Sequence, residues 1–211
     1  MSYFITFEGP DGSGKSSQIK LLAKYLQEQG HHVHVTREPG GTPIGDKIRQ
    51  IVHDTKHTNM DDMTEVLLYA ASRSQHVSQV IKPFLAKGDI VLCDRYFDST
   101  YAYQGYGRGL NLDMLKTITK FATQGLTPDL TILLDLPVEV GLKRNWRAHT
   151  HDKGEWNRMD DLTQSFHERV RHGYTAIAYM YPQRWRVINA MQEITIVHEA
   201  IRKEICTFLK N

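Results

Sequence analysis

Phe4-Ile5-Thr6-Phe7-Glu8-Gly9-Pro10-Asp11-Gly12-Ser13-Gly14-Lys15-Ser16-Ser17 is the stretch on which the fold turns. Its first four residues form a short apolar run that ends in a glycine loop, as a buried parallel strand does. From Lys15 onward, Ile19, Leu22 and Leu26 recur at helical spacing, and Gly30 closes the segment. Between the two, Gly9 to Ser16 matches G-x-x-x-x-G-K-[ST]. The glycines let the backbone wrap phosphate oxygens where a Cβ would block approach. The exposed N–H groups and the helix N-terminus favour negative charge. Gly9, Pro10, Asp11, Gly12, Ser13, Gly14, Lys15, Ser16 and Ser17 are therefore the expected cradle of a nucleoside triphosphate. Lys15 is placed to reach its β- and γ-phosphates, and the Ser16 hydroxyl to ligate magnesium.

Outward from the cradle, strand-like and helix-like periods alternate. Val33 to Thr36 reads as a second strand, and Ile48, Ile51 and Val52 as a short helix after the Gly40-Gly41 turn. A long helix is expected from about Asp62 to Lys87, kinked at Pro83. Ile90 to Cys93, Leu130 to Leu134 and Arg186 to Ile188 read as further strands. Helices are expected over Asp113 to Ala122, Val138 to Arg147, Leu162 to Met180 and a terminal amphipathic stretch through Phe208. Short connections between such segments predict a parallel sheet covered on both faces. The expected fold is thus α/β: a P-loop NTPase three-layer sandwich of about five strands, one domain over residues 1–211, with a small lid at about 144–160. Ligands in such folds sit at the carboxyl ends of strands, and the polar candidates fall at those ends.

Asp94 and Arg95 follow the strand ending at Cys93. The carboxylate suits the hydration shell of magnesium, and the guanidinium suits a phosphate held in bidentate fashion. A buried structural Asp–Arg pair is the alternative. Ser99 and Tyr103 are four apart, as are Thr100 and Gln104, so a helix would put each pair on one face. That face could read the polar edge of a base or simply meet solvent. Tyr69 and Arg73 share the same spacing, which suits base stacking beside a carbonyl donor. Alone, a core tyrosine with a surface salt bridge accounts for them as well. Arg49 lies about two turns beyond the Arg37-Glu38-Pro39-Gly40-Gly41-Thr42 loop, facing either the cleft or solvent. Residues 144–158 are polar, without a sustained apolar stripe, and carry Arg144, Arg147 and Arg158. A lid that brings cations on closure, with no core of its own, has this composition. A plain surface loop does too.

Bulk composition excludes several classes. With 40% hydrophobic and 24% charged residues, the chain reads as soluble and globular. No apolar run reaches the roughly 18 residues a membrane span needs, and Met1-Ser2-Tyr3 begins without a secretory n-region. A cytoplasmic location is expected, with no membrane partner. A net charge of +2 gives no case for nucleic acid. Cys93 and Cys206 are expected as reduced thiols, and His31-His32-x-His34 and His149-x-His151 match no zinc spacing. No Asn-Lys-x-Asp guanine reader is present. Small size with two clusters of phosphate-binding residues points to a kinase acting on a small substrate.

Several motifs in order carry a family likeness. They are Phe7-Glu8-Gly9 before the loop, Arg37 to Thr42, Tyr69-Ala70-Ala71-Ser72-Arg73, Leu92 through Gly105, and Phe166-His167-Glu168-Arg169-Val170-Arg171-x-Gly173-Tyr174. Together they resemble the bacterial thymidylate kinases from Phe4 to about Leu209. The resemblance implies ATP and dTMP as substrates, magnesium as cofactor, and a homodimer. It implies that Arg73 donates to the thymine carbonyl, that Tyr69 stacks on the ring, and that Ser99, Thr100, Tyr103 and Gln104 line the base pocket. Arg49 and Arg95 would hold the monophosphate, Glu38 and Pro39 would shape that wall, and Asp11 would contact the sugar. One type within the family places an arginine directly after the loop carboxylate. This chain has Gly12 there, so the resemblance moves the catalytic cation to the lid. Arg158, within Asn157-Arg158-Met159-Asp160, is the expected residue, Arg147 its rival, and Arg144 would pack near adenine. Catalysis is then expected from Lys15, Arg95, Arg158 and Asp94, with Ser16 and Asp94 on the metal. A phosphate monoester is mostly dianionic at neutral pH, so no general base is required. Another monophosphate or nucleoside kinase on the same fold, or an ATP-binding protein without turnover, are the competing readings.

Overall fold

The computed structural model describes residues 2–151 and 157–210. Strands β1 (Tyr3–Glu8), β2 (Val33–Arg37), β3 (Ile90–Asp94), β4 (Leu130–Asp135) and β5 (Trp185–Asn189) form one sheet in the order β2-β3-β1-β4-β5. Every neighbouring pair is parallel, with Phe7 level with Asp94 on one side and Ile132 on the other. Parallel pairing needs long crossovers, and the chain supplies them as helices. They are α1 (Lys15–Glu28), α2 (Pro43–His53), α3 (Asp62–His76), α4 (Lys82–Ala86), α5 (Phe97–Thr100), α6 (Leu112–Thr123), α7 (Val138–Thr150), α8 (Gln164–Met180) and α9 (Ile194–Leu209).

Alternation along β1 divides the core. Ile5 and Phe7 pack on one face with Ile19, Leu22 and Leu26 of α1 and Val197, Ile201 and Ile205 of α9. Phe4 points to the other face, among Val77, Ile81, Val91 and Tyr96. A third cluster under α8 gathers Leu133, Trp185, Val170, Tyr174, Phe166 and Met159. Full burial of each such side chain is worth about 1.5–3 kcal/mol. Thr6 and Thr131 are buried mid-sheet and satisfy each other across β1 and β4 at 2.9 Å.

Two helical expectations are refined. The long helix continues from Asp62 to Ala86, but residues Val77–Ile81 form a wider π turn. Pro83 lacks an N–H, and its ring would collide with the carbonyl four residues back. Widening the turn just before it relieves that conflict without a break. Likewise α5 is a single turn, and Tyr101–Gly107 continues it as π helix. The expectation of an α-helical face from Phe97 to Gln104 therefore gives way to a wider spiral. It still presents Ser99, Thr100, Tyr103 and Gln104 to one cleft.

Candidate active site

A cleft of about 490 Å³ opens at the carboxyl ends of β1, β2 and β3. Its floor is the loop between β1 and α1. Gly9 has φ +138°, and a Cβ there would lie 2.4 Å from the Leu134 carbonyl oxygen. Gly12 has φ +74°, and its Cβ would lie 2.1 Å from the Gly141 carbonyl oxygen. Both glycines are thus required by conformation and by contact. The second contact means that any side chain at position 12 would require the backbone at Gly141 to shift. Gly14 caps α1 without a side-chain bond, leaving the first N–H groups of α1 directed at the cleft. Lys15 turns inward and donates to the carbonyls of Gly9 (3.0 Å) and Pro10 (2.9 Å), with Ser13 Oγ at 3.4 Å. Burial, reinforced by Arg95, draws its pKa down to about 8. The Ser16 hydroxyl donates to Asp94 Oδ2 at 2.6 Å, so two hard oxygen donors meet at the lip of the cradle.

Arg95, directly after β3, has φ +67°, a strained position for a branched-off side chain worth about 1–3 kcal/mol. Its N–H donates to the Phe7 carbonyl at 2.9 Å. The guanidinium donates to Asp11 Oδ1 (2.6 Å), Tyr103 OH (3.1 Å), Tyr174 OH (2.9 Å) and Ser99 Oγ (3.3 Å). Tyr103 also donates to Asp11 Oδ2 at 2.6 Å. Burial alone would push the Asp11 carboxyl up, but Arg95 and Lys15 outweigh it and hold the group well below the usual carboxylate range. Beneath Arg95 lies Glu8, fully buried at the end of β1. It accepts from Tyr96 N–H (2.8 Å), Ser99 Oγ (2.6 Å) and Tyr174 OH (2.9 Å). Burial and the Asp98 carboxylate push its pKa up to about 7 against the opposing pull of Arg95.

At the other end of the cleft, Arg73 is 3% exposed. It donates through Nε to Glu38 Oε2 (2.7 Å), through Nη1 to Thr100 Oγ1 (3.0 Å) and through Nη2 to the Tyr96 carbonyl (3.2 Å). Glu38 Oε1 lies 3.0 Å from His76 Nδ1, and His76 Nε2 lies 2.7 Å from Thr36 Oγ1. Tyr69, one turn from Arg73 on α3, lines the same wall, as do Pro39, Thr100 and Gln104. Arg49 on α2 lines it too, donating to the Pro39 carbonyl at 3.2 Å. The residues expected from spacing alone are therefore brought together.

The segment expected to form a lid differs from expectation. Its middle, residues 152–156, lies outside the described residues. Arg144 and Asn145, on α7, reach the cleft, and Arg144 also donates to the Ala190 carbonyl at 3.0 Å. Arg147 is exposed on the same helix. Arg158 and Asp160 are buried, and Met159 belongs to the core under α8, so this end of the segment is seated rather than coreless. Arg158 pairs with Glu65 of α3 and donates to the Val52 carbonyl at 3.3 Å, and it is not among the residues lining the cleft. Glu65 also accepts from Gln104 Nε2 (2.8 Å) and, twice, from Arg108 (2.8 Å). Asp160 gathers Asn145 Nδ2 (2.7 Å) and Asn157 Nδ2 (2.6 Å), and burial beside Asp11 pushes its pKa up to about 7.

Sequence reasoning missed Glu8, Tyr174, Glu65 and Asn145 as site residues. Glu8 and Tyr174 sit inside motifs that carried the family likeness, which was the available signal. Glu65 is one turn before Tyr69 on α3, the spacing already used for Tyr69 and Arg73. Asn145 had none. Among the described residues, no group of three or more His, Cys, Asp or Glu could hold a metal. An ion bound at Ser16 and Asp94 would complete its shell with water and phosphate oxygens, as magnesium does.

A family model described as thymidylate kinase matches residues 7–201. The thymidylate kinase of Roseiflexus castenholzii is 52% identical over 209 residues, covering 95% of this chain and 91% of that protein. That of Herpetosiphon aurantiacus is 51% identical over 210 residues, covering 90% and 89%. A crystal structure of thymidylate kinase from Ehrlichia chaffeensis superposes with a TM-score of 0.76 at 36% identity, covering 97% of this chain and 98% of the other.

Proposed function

Because the chain belongs to the thymidylate kinase family, we propose that this cleft holds ATP on Gly9–Ser17 and dTMP against Arg73 and Arg95, end to end. The chain is a phosphotransferase that phosphorylates dTMP at the expense of ATP. On this reading residues 1–211 act as one kinase domain with a lid at about 144–160. The observation that carries the site assignment is one continuous cleft with a phosphate cradle at one end and the Tyr69–Arg73 wall at the other.

The acceptor brings its own dianionic phosphate, so the difficulty is charge, not proton removal. Lys15 leaves the Gly9 and Pro10 carbonyls to meet the β- and γ-phosphates. Arg95 and Arg49 hold the acceptor phosphate, and Asp11 passes from pairing Arg95 to contacting the sugar. Cations fixed in place before the reaction stabilise the charge that develops between the two phosphates. Magnesium, held by Ser16 and Asp94, would supply further charge at the donor phosphates. Thr100 and Gln104 border the base, Arg73 donates to a base carbonyl, and Tyr69 stacks on the ring. Pro39 and Glu38 back that wall. Ser99 is assigned differently from the expectation, since its hydroxyl faces Glu8 and Arg95. Arg158 is assigned to seating the lid through Glu65, and Arg144 is the lid-side guanidinium already on the cleft.

A homodimer is part of the same proposal. Leu67 on α3 and Phe121 on α6, two helices that pack together, are exposed apolar side chains that support it. No helix among the described residues is long and apolar enough to cross a membrane, and a cytoplasmic location belongs to the proposal. The test is an ADP-coupled assay with dTMP, dUMP, dCMP, AMP and thymidine as acceptors. Turnover is expected with dTMP well above the purine nucleotide and the free nucleoside. A preference for AMP, or for thymidine, would overturn the base and phosphate assignments.

A further inference from the structure

The hydroxyls around Arg95 have a directional problem that Glu8 solves. A guanidinium can only donate. Arg95 Nη1 lies 2.9 Å from Tyr174 OH and 3.3 Å from Ser99 Oγ, so both oxygens must turn lone pairs toward it. The two oxygens also lie 2.8 Å apart, so one hydroxyl can donate to the other, but at least one proton must be placed elsewhere. The acceptor both can reach is Glu8 Oε2, at 2.9 Å from Tyr174 OH and 2.6 Å from Ser99 Oγ. The other carboxylate oxygen, Oε1, takes the N–H of Tyr96 at 2.8 Å, the residue that follows the strained Arg95 backbone. Glu8 thereby grips Arg95 at both ends, through the peptide after it and through the two hydroxyls under its guanidinium. It lines no part of the cleft and is fully buried.

We propose that Glu8 is a positioning residue for the acceptor phosphate: its carboxylate orders the Ser99 and Tyr174 hydroxyls so that they accept from Arg95 and aim the guanidinium at the monophosphate. This rests on the reading of Arg95 as the ligand of that phosphate. Glutamine at position 8 inverts the arrangement while keeping shape. Its carbonyl must face Tyr96 N–H, so its NH₂ faces the hydroxyls and supplies protons where acceptance was needed. One hydroxyl can then donate to the other, but the remaining proton turns toward Arg95, donor against donor.

The experiment is calorimetric titration at pH 8, where Glu8 is ionised, of the wild-type, Glu8→Gln, Tyr174→Phe and Arg95→Ala proteins with dTMP and with thymidine. The readout is the ratio of the thymidine Kd to the dTMP Kd, which isolates what the phosphate adds. Glu8→Gln is expected to shrink that ratio about tenfold with the thymidine Kd unchanged, the scale of a hydrogen bond to a charged group. Tyr174→Phe should shrink it a few-fold in the same direction. If Arg95→Ala collapses the ratio and Glu8→Gln leaves it intact, Glu8 does not position Arg95. If Glu8→Gln weakens thymidine as much as dTMP, its role is only structural and the inference fails. If Arg95→Ala itself leaves the ratio unchanged, the reading of Arg95 fails first. Should Glu8→Gln not fold, an unchanged ratio in Tyr174→Phe overturns the inference on its own.

Discussion

Replacing Glu8 by glutamine should change how stability depends on pH. The carboxyl is fully buried at the end of β1 beside Asp98, and its pKa is pushed up from 4.5 to about 7. The folded protein therefore keeps a proton there that the unfolded chain loses from about pH 4.5 upward. Folded protein binds more protons in that window, so the stability of the wild type falls as pH rises through it. Each pKa unit is worth about 1.4 kcal/mol, and the shift spans about 2.5 units, which makes the full penalty about 3 kcal/mol above pH 7. Glutamine carries no such proton and escapes the penalty. The unfolding free energy of Glu8→Gln minus that of wild type should then climb by about 3 kcal/mol between pH 4.5 and 8. Urea denaturation at half-unit pH steps measures this. Only the change in the difference is read, so any fixed loss from a misplaced amide cancels. A flat difference would mean that burial does not govern the carboxyl. A falling one would mean that the pull of Arg95 outweighs both burial and Asp98.

Arg73→Ala should weaken dTMP binding about 10- to 100-fold with little change for ATP, since a charge-assisted contact is lost; equal weakening of both would contradict the division of the cleft. The same change strips buried Glu38 of its guanidinium and should lower stability by about 3–5 kcal/mol, read by denaturant unfolding. Ser16→Ala should raise the magnesium concentration for half-maximal activity by about ten- to a hundredfold, and an unchanged requirement would remove Ser16 from the metal. Arg158→Met should lower stability by about 1.5–3 kcal/mol, the loss of one charge-assisted bond, because Glu65 keeps Arg108 and Gln104, whereas Arg144→Met should lower turnover with stability nearly intact. The reverse outcome, full stability with turnover lost in Arg158→Met, would restore Arg158 to the chemistry.

What could be read from the chain was local. The loop from Gly9 to Ser16, the strands and the Tyr69–Arg73 pair are patterns within a dozen residues, and each one recurs in the structure. What escaped was non-local. Glu8 looked like one charged residue closing an apolar run, because its partners Tyr96, Ser99 and Tyr174 lie 88, 91 and 166 positions away. Arg158 sat in a polar segment whose composition suggested a coreless flap. Its burial depends on Glu65, 93 positions earlier, which no window on the lid includes. Ser99 was grouped with Tyr103 by spacing, yet its hydroxyl direction was decided by the Glu8 carboxylate at the end of β1.

The near-contact of two glycine backbones also bears on where a lid could bend. A Cβ at Gly12 would strike the Gly141 carbonyl, and a Cβ at Gly141 would lie 2.5 Å from the Asp11 carbonyl oxygen. The first turn of α7 is thus keyed into the tip of the phosphate loop, main chain against main chain. On the proposed lid reading, a swing that brings Arg147 down on a nucleotide would pivot beyond that joint, and the stationary and travelling parts of the molecule would divide within a single helix.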